Sequence, residues 1–465
     1  MAIYLAREGF EVEVYERRPD MRDEPEERGR SINMTIAERG LRALDAAGAL
    51  AKVLPLTVPI RGRMVHGLDG SQVFQPYGKN DDEAIYAIMR RDLNITLMDE
   101  AQCYPNVKMF FNARCVRIDK ESDAVHLRNE VTGENHVVRC PHLIGADGTF
   151  STVRRQLQRI ERVNFHQEFL DHGYKELRIP PKPNGDFRLD HKALHVWPRG
   201  DRMLLAIPNR DGSFTCTCIL PFKGPVSFQS LQTETDILTF FKSHFPDAIP
   251  LVPGLVDEFQ HNRTAEFITT YTFPWQHKGR IVLLGDACHS VVPFYGQGMN
   301  AAFEDCVVLN ACIARNGENW EAAFEEFEQL RKRNTDALAV LSKENFLVLC
   351  QKARSTAFIA RKKVELGLNR LMPRVWMPLY TMVTHTTMPY ADAVAKAKKQ
   401  ERIARLLGID LVVGLLALLI VLTKMLKAST GAASRQALPY ITRLGLVGQN
   451  GTAKDAAAQK SSGNS

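Results

Sequence analysis

Residues 279–305 read G-R-I-V-L-L-G-D-A-C-H-S-V-V-P-F-Y-G-Q-G-M-N-A-A-F-E-D, and they carry the strongest motif in the chain. The apolar run Ile281–Leu284 is typical of a buried strand, which ends at Gly285-Asp286. After a loop rich in proline and glycine, the pattern predicts a helix that opens at Gly298-Met299-Asn300. The positive end of that helix favours an anion, and the Asp286 carboxylate suits a ribityl or ribose hydroxyl. His289 is more typical of a packed or loop histidine than of a ligand.

A second stretch, L-I-G-A-D-G-T-F-S-T-V-R (143–154), predicts the same order of strand, turn and helix. Its glycines allow a ligand to approach the backbone closely, and Asp147 at the turn is able to order the loop. An ordinary strand–turn–helix without a ligand explains this pattern equally well.

The first twenty residues, M-A-I-Y-L-A-R-E-G-F-E-V-E-V-Y-E-R-R-P-D, predict a helix that leads into a strand. The alternation from Phe10 to Tyr15 is typical of a β-strand, which ends at the acid Glu16. This order is that of the second half of a dinucleotide-binding βαβ unit, in which such an acid binds ribose hydroxyls. A plain surface acid is the alternative. The first strand and the Gly-rich turn of the unit would precede Met1.

The composition is that of a globular protein. The chain has 465 residues, of which 45% are hydrophobic and 24% charged, and this excludes disorder over most of its length. The net charge of +7 is mild and dispersed, so nucleic acid is not an expected partner. The nine cysteines form no CxxC pair, which argues against a disulfide framework or a structural zinc site and favours a reducing compartment. No signal peptide is predicted.

The acid-ended strand, the GADG turn and the GD turn, in this order, resemble the class A flavin monooxygenases of the para-hydroxybenzoate hydroxylase type. Further stretches resemble one branch of that class, the kynurenine 3-monooxygenase family. They are R-G-R-S-I-N (28–33), Y-P-N-V-K-M (104–109), the block from Gly285 to Cys306, and P-L-Y-T-M-V-T (378–384). The similarity runs from residue 1 to about residue 405, and the block that contains G-Q-G-M-N is its most specific part.

The resemblance implies an α/β fold, with a Rossmann-like FAD-binding domain, an inserted β-sheet substrate domain and C-terminal helices. Residue patterns predict helices over Thr35–Leu50 and Arg91–Cys103 and a meander of strands between 193 and 220. The expected divisions are an FAD-binding domain in two parts (1–154 and 276–330), a mostly β substrate domain (155–275), a C-terminal helical region (331–405), a transmembrane anchor (406–427) and a disordered tail (428–465).

The resemblance also implies roles for individual residues. It implies no catalytic side chain, because the flavin supplies the oxygen-transfer chemistry. Arg63 would pair with the substrate carboxylate, and Tyr77 and Tyr390 would hold the amino-acid end of the substrate. The implied FAD-binding residues are Tyr15, Glu16, Arg17 and Arg18 at the adenosine, Arg90 at the pyrophosphate or ribityl chain, Cys115 at the adenine, Asp286 at the ribityl chain, and the backbone N–H groups of Met299 and Asn300 at the isoalloxazine.

The implied activity is the hydroxylation of L-kynurenine to 3-hydroxykynurenine with FAD, NADPH and O2, in tryptophan degradation and NAD biosynthesis. NADPH would bind transiently, without a dinucleotide fold of its own. Two departures from the family leave alternatives open. The GxGxxG turn, which holds the FAD pyrophosphate in the family, is absent from this sequence. In the C-terminal helices, Arg354 stands where the family has a substrate-binding asparagine and His385 where phenylalanine is usual. The alternatives are a related hydroxylase of another aromatic acid, or a truncated, flavin-free and inactive form.

The segment Leu406–Leu422 is apolar over 17 residues except for Asp410. As a helix it would extend about 26 Å, which is marginal for a hydrocarbon core of about 30 Å. Basic residues precede it, which predicts a membrane anchor with the catalytic part on the cytosolic side. Together with the resemblance, this predicts the mitochondrial outer membrane. A buried or interfacial amphipathic helix is the alternative.

Overall fold

The computed structural model describes residues 1–24, 33–78, 83–119, 122–352, 356–373, 375–406 and Thr423. Within them, the helices are α1 (Ala2–Arg7), α2 (Glu38–Ala46), α3 (Leu50–Val53), α4 (Arg90–Gln102), α5 (Thr152–Ile160), α6 (Glu234–His244), α7 (Leu255–His261), α8 (Asp286–His289), α9 (Gly298–Asn316), α10 (Trp320–Leu347), α11 (Thr356–Leu371), α12 (Leu379–Thr384) and α13 (Tyr390–Leu406). The strands are β1 (Val12–Tyr15), β2 (Asn33–Ile36), β3 (Val58–Ile60), β4 (Gly62–His66), β5 (Gln72–Pro76), β6 (Ile85–Met89), β7 (Val107–Phe110), β8 (Ala113–Ile118), β9 (Ala124–Asn129), β10 (Asn135–Arg139), β11 (Leu143–Gly145), β12 (Asn164–Ile179), β13 (Ala193–Arg199), β14 (Arg202–Pro208), β15 (Phe214–Pro221), β16 (Ala265–Phe273), β17 (Gln276–His277) and β18 (Ile281–Leu283).

The strands that carry the three motifs run parallel to a neighbour. β1 pairs with β7, and β11 pairs with β18 so that Gly145 lies opposite Leu283. Because parallel strands end at the same edge of a sheet, the GADG and GD turns leave it side by side. β18 is completely buried and shares an apolar core with residues of α5, α9 and α10. That core fixes the strand whose end presents Asp286.

A seven-stranded sheet forms the second layer, in the order β16-β12-β15-β14-β13-β4-β5. The predicted meander is present as β13, β14 and β15 in antiparallel succession. The hairpin of β4 and β5 comes from the first part of the chain, and β4 joins the sheet by pairing in parallel with β13. This pairing brings Arg63 into the sheet of the predicted substrate domain.

The helix predicted over Thr35–Leu50 is shorter in the structure at both ends. The predicted helix over Thr35–Leu50 is wrong at its start, because residues up to Ile36 form β2 and pair with β6. The helix α2 begins at Glu38 and ends before Gly48, whose φ of 78° interrupts the helix. The helix α4 confirms the other prediction within one residue at each end. The proposed domain divisions stay predictions, although α10 runs across the division at residue 330.

Among the described residues, no helix is long and apolar enough to cross a membrane. The predicted anchor is described only at Leu406 and Thr423, so its central part lies outside the described residues. Arg354 and the tail 428–465 also lie outside them. The predictions made for these residues stay predictions.

Candidate active site

A cavity of about 1100 Å³ is lined on one side by α1, β1, α4 and β7, and on the other by β12 and β16. It brings together four of the predicted cofactor residues, Glu16, Arg17, Arg18 and Arg90. Glu176 of β12 also lines it; burial raises the pKa of its carboxyl to about 7, and the positive charge of Arg90 opposes that rise. A cavity of this size accommodates a ligand as large as a dinucleotide.

The end of β1 is held against β7 in a way that leaves Glu16 at the cavity. The Glu16 N–H donates to the carbonyl of Phe110 (2.9 Å), and its carboxylate accepts a hydrogen bond from the Arg18 N–H (2.9 Å). The preceding side chain, that of Tyr15 at the end of β1, stacks on the ring of Phe110, and its hydroxyl donates to Glu13. Strand alternation therefore separates Tyr15 from the Glu16 side of the strand.

Cys115 lies in β8 and packs against the core that contains β18. Burial raises the pKa of its thiol to about 12, so the side chain is neutral near pH 7. The cavity lining does not include it, and the predicted contact with the adenine, which is made by the backbone, stays a prediction.

Asp286 follows a turn that requires glycine. Gly285 has a φ of 60°, and a Cβ atom there would lie 3.1 Å from the Cβ of Ala302. The Asp286 residue has solvent access, but the protein around its carboxyl partly desolvates it and raises its pKa, and the positive charges of His289 and Arg90 oppose that rise. Arg90 is exposed, and its guanidinium makes no hydrogen bond or ion pair with any residue in the described part of the chain. Asp286 and Arg90 thus present opposite charges toward one space.

Helix α9 begins as predicted at Gly298-Met299-Asn300. Backbone N–H groups in a first helical turn have no acceptor within the helix, so those of Met299 and Asn300 remain for a ligand. The Asn300 side chain is completely buried and has a separate role. Its Oδ1 accepts from the Ala37 N–H (2.8 Å), and its Nδ2 donates to the carbonyls of Thr35 (2.8 Å) and Gly296 (2.9 Å). Asn300 therefore braces the start of α9 against β2 and α2.

An aromatic cluster, formed by Tyr77, Tyr295 and Tyr380, lies beside Arg63. The Arg63 guanidinium lies 5.5 Å from the centre of the Tyr77 ring, which stacks on Tyr380 at 4.8 Å. The Tyr380 ring stacks in turn on Tyr295 at 5.9 Å. Tyr295 belongs to the loop before α9, so the cluster adjoins the start of that helix. Within the described residues, no carboxylate forms an ion pair with Arg63.

Tyr390 occupies a different position from the other two predicted substrate residues. It is completely buried, its hydroxyl donates to Oε1 of Gln297 (3.0 Å), and the Arg39 guanidinium lies 4.0 Å from its ring centre. The structure brings Arg63 and Tyr77 together and places Tyr390 behind the loop before α9. Its contact with substrate stays a prediction.

These features fit a flavin dinucleotide, because an acid for ribose hydroxyls lines the large cavity, and Arg90, which also lines it, acts on Asp286 after the glycine turn. The open N-terminus of α9 adds a site that favours negative charge. The model of the "FAD binding domain" family matches residues 1–339. The chain is 45% identical over 414 residues to the kynurenine 3-monooxygenase of Salinispora tropica, which covers 88% of this chain and 91% of the relative. It is 38% identical over 405 residues to that of Dictyostelium discoideum, which covers 84% and 87%.

The chain belongs to the kynurenine 3-monooxygenase family. It is a flavin-dependent monooxygenase with FAD as its cofactor, as its motifs predicted.

Solved structures of flavin oxygenases share the fold of this family member. The tetrameric form of 2-methyl-3-hydroxypyridine-5-carboxylic acid oxygenase has a TM-score of 0.61 at 20% identity and covers 78% of this chain and 92% of its own. P. aeruginosa PqsL in complex with 2-aminobenzoylacetate has a TM-score of 0.60 at 20% identity and covers 76% and 94%. They confirm the α/β fold class.

Sequence reasoning missed several residues at the site of this monooxygenase. Arg154 is almost completely buried and donates to the carbonyls of Ala287 (2.6 Å) and Thr149 (2.7 Å), which ties the GADG turn to the GD turn. Tyr380 lies inside a family-like stretch, but no role was predicted for it, and Tyr295 was expected only as part of the loop that closes a dry pocket. Asp305, at the end of the long block, was given no role.

Proposed function

We propose that this enzyme hydroxylates L-kynurenine to 3-hydroxykynurenine, with NADPH as reductant and O2 as oxidant. The observation that carries the proposal is the Arg63 guanidinium beside the aromatic cluster. L-Kynurenine has a carboxylate at one end and an aminophenyl ring at the other. The Arg63 guanidinium has no acidic partner among the residues that the structure describes, which suits the carboxylate, and stacked tyrosines suit the ring.

The bound flavin, once reduced by NADPH, supplies the oxygen-transfer chemistry. The protein's own residues bind, orient and exclude water. Arg63 fixes the carboxylate, and the aromatic cluster holds the ring next to the start of α9. The N–H groups of Met299 and Asn300 would favour negative charge on the isoalloxazine of a bound flavin. The loop Pro293–Tyr295 contributes Tyr295 to the aromatic cluster, and its Phe294 is nearly completely buried.

The direct test uses the purified full chain with FAD, NADPH and O2. We expect NADPH oxidation that depends on L-kynurenine, and a product that carries one oxygen atom from ¹⁸O2 by mass spectrometry. The amide of L-kynurenine, which lacks the carboxylate, should be a poor substrate. Oxidation of NADPH without hydroxylated product, at saturating L-kynurenine, would contradict the proposal.

A second candidate is the hydroxylation of another aromatic acid, and His385 favours it. Its ring lies 6.1 Å from that of Tyr380, burial lowers its pKa so that it is neutral near pH 7, and its Nε2 has no hydrogen-bond partner in the described part of the chain. A polar ring substituent would satisfy this nitrogen. A substrate with a higher kcat/KM than L-kynurenine in a panel of aromatic acids would favour this candidate, and His385→Phe should then remove the preference.

We also propose that the segment 406–422 anchors the enzyme in the mitochondrial outer membrane, with the catalytic part in the cytosol. Its apolar sequence supports this, as do the preceding exposed basic residues Arg402 and Arg405. A full chain expressed in cells should remain in the membrane pellet after alkaline carbonate treatment, and external protease should digest its catalytic part in intact mitochondria. Release by carbonate would contradict the anchor.

A further inference from the structure

Asp305 of α9 lies behind the turn that presents Asp286, and it is completely buried. Its Oδ2 accepts a hydrogen bond from the Gly285 N–H (3.2 Å) and lies 2.6 Å from Nε2 of His289. Its Oδ1 accepts from Nε of Arg331 on α10 (2.6 Å). One carboxylate thus joins the Gly285 turn after β18, the last residue of α8 and the long helix α10.

His289 and Asp305 form an ionised pair. Burial opposes a charge on His289, but the charge and hydrogen bond of Asp305 outweigh it and hold the pKa of the imidazole well above its usual range. Burial also opposes a charge on Asp305, yet His289 and Arg331 lower its pKa to about 2. The other groups that face His289 are the thiol of Cys288 and the ring of Trp275, whose centre lies 5.3 Å from the His289 ring.

The imidazolium stands three residues after Asp286 and acts on it. The charged groups that face Asp286 are His289 and Arg90, which favour its carboxylate, and Asp305, which disfavours it. A carboxylate accepts hydrogen bonds from hydroxyl groups more strongly than a neutral carboxyl does. Without the charge on His289, Asp286 would therefore become protonated at a higher pH. The hydrogen bonds that it accepts from a ribityl chain would then weaken, and this loss would be largest at low pH.

We propose that Asp305 and His289 are positioning residues of the FAD site: Asp305 holds the Gly285 turn in its binding geometry, and the pair places a positive imidazolium behind the Asp286 carboxylate. Neither residue needs to touch substrate. The proposal concerns the affinity for FAD and is therefore independent of which aromatic acid the enzyme hydroxylates.

The test compares the full chain with three variants, Asp305→Asn, His289→Gln and Asp247→Asn. Asp247 is the matched control. It also lies beside a buried histidine, His66 at 3.2 Å, and accepts a hydrogen bond from Trp197 (2.7 Å), but these partners belong to the seven-stranded sheet. The dissociation constant of FAD is measured by quenching of flavin fluorescence at pH 6 and pH 8. Circular dichroism of each apoprotein checks the fold.

For His289→Gln we expect FAD binding to weaken about tenfold at pH 6 and less at pH 8, because Asp286 then becomes protonated at a higher pH. For Asp305→Asn we expect at least a tenfold loss at both pH values, because the turn is also released. Asp247→Asn should bind FAD as the unaltered chain does. If Asp305→Asn fails to fold, His289→Gln decides the question, since glutamine still donates to Asp305. An unchanged FAD affinity of His289→Gln at both pH values overturns the proposal.

A second readout needs no cofactor. The imidazole Cε1–H resonance of His289, assigned by its absence in His289→Gln, should not titrate between pH 6 and pH 8 in the apoprotein. In Asp305→Asn it should titrate within that range or below it. Titration of His289 near its ordinary pKa in the unaltered chain would also overturn the proposal.

Discussion

Arg63 is the residue on which substrate binding depends most directly. Removal of its charge by Arg63→Met should raise the KM for L-kynurenine about 10- to 100-fold, the equivalent of one charged hydrogen-bonded pair. Since the carboxylate does not react, the contact is equal in the ground and transition states, and kcat should change less. Steady-state kinetics check this. Arg178→Met, an exposed arginine that pairs with Asp211, is the control and should leave KM unchanged. A loss confined to kcat would contradict this role.

The buried side chain of Asn300 stabilises the fold at the same site. Asn300→Ala removes three hydrogen bonds of a buried side chain and leaves the Ala37 N–H and the Thr35 carbonyl without this partner, so we expect a loss of about 2–4 kcal/mol in the free energy of unfolding. Urea unfolding measures it. Asn310→Ala, on the same helix with one longer contact to Glu8 (3.3 Å), should cost less than about 1 kcal/mol. Equal losses in the two variants would show that the bracing is not specific.

At the scale of elements, the sequence predicted what depends on local pattern. The alternating strands of the meander, α4 and the strand–turn–helix at Gly285 follow from periodicity and glycine positions. The place of β4 in the substrate sheet could not be predicted in this way, because its partner β13 lies about 130 residues away. The contact between His289 and Asp305 was missed for a similar reason, since it depends on how α9 packs behind β18.

The pairing of β4 with β13 also buries two histidines in contact, and this predicts a pH dependence of stability. Nε2 of His66 lies 2.8 Å from Nδ1 of His195, whose Nε2 donates to the Asp190 carbonyl (2.9 Å). Burial lowers the pKa of His195 to about 4, below the value of about 6.5 expected in the unfolded chain. Between these two pH values the unfolded state binds one proton more than the folded state. The contribution of His195 to the free energy of unfolding is therefore full above about pH 6.5 and is lost as the pH falls toward 4.

The expected loss from this histidine is about 3 kcal/mol, which follows from the difference between the two pKa values. Urea unfolding between pH 4 and pH 7 should therefore show a flatter pH dependence for His195→Gln than for the unaltered chain. His261→Gln changes an exposed histidine and should keep the full dependence. The same slope in all three proteins would rule out His195 as the source.

At the scale of the whole molecule, one cavity joins two layers of the fold. Its walls come from β1 and α4 on one side and from β12 and β16 on the other, so a ligand that fills it should stabilise both together. FAD at about 100 times its dissociation constant should add about 2.7 kcal/mol to the free energy of unfolding. Thermal unfolding followed by circular dichroism, over a range of FAD concentrations, should then show one transition that moves to higher temperature.

Replacing FAD with FMN in this experiment distinguishes the contributions of the two ends of the cofactor to stability. FMN has the ribityl chain and the isoalloxazine but lacks the adenosine, which we expect to contact Glu16, Arg17 and Arg18 at the end of β1. At equal concentration it should therefore raise the unfolding temperature less than FAD does. Glu16→Gln should weaken the binding of FAD but not of FMN, so it should reduce the difference between the two unfolding temperatures. Asp286→Asn should weaken the binding of both flavins. If FMN and FAD stabilise the chain equally, the cavity at the end of β1 does not bind the adenosine, and the orientation of the cofactor inferred from the three motifs is wrong.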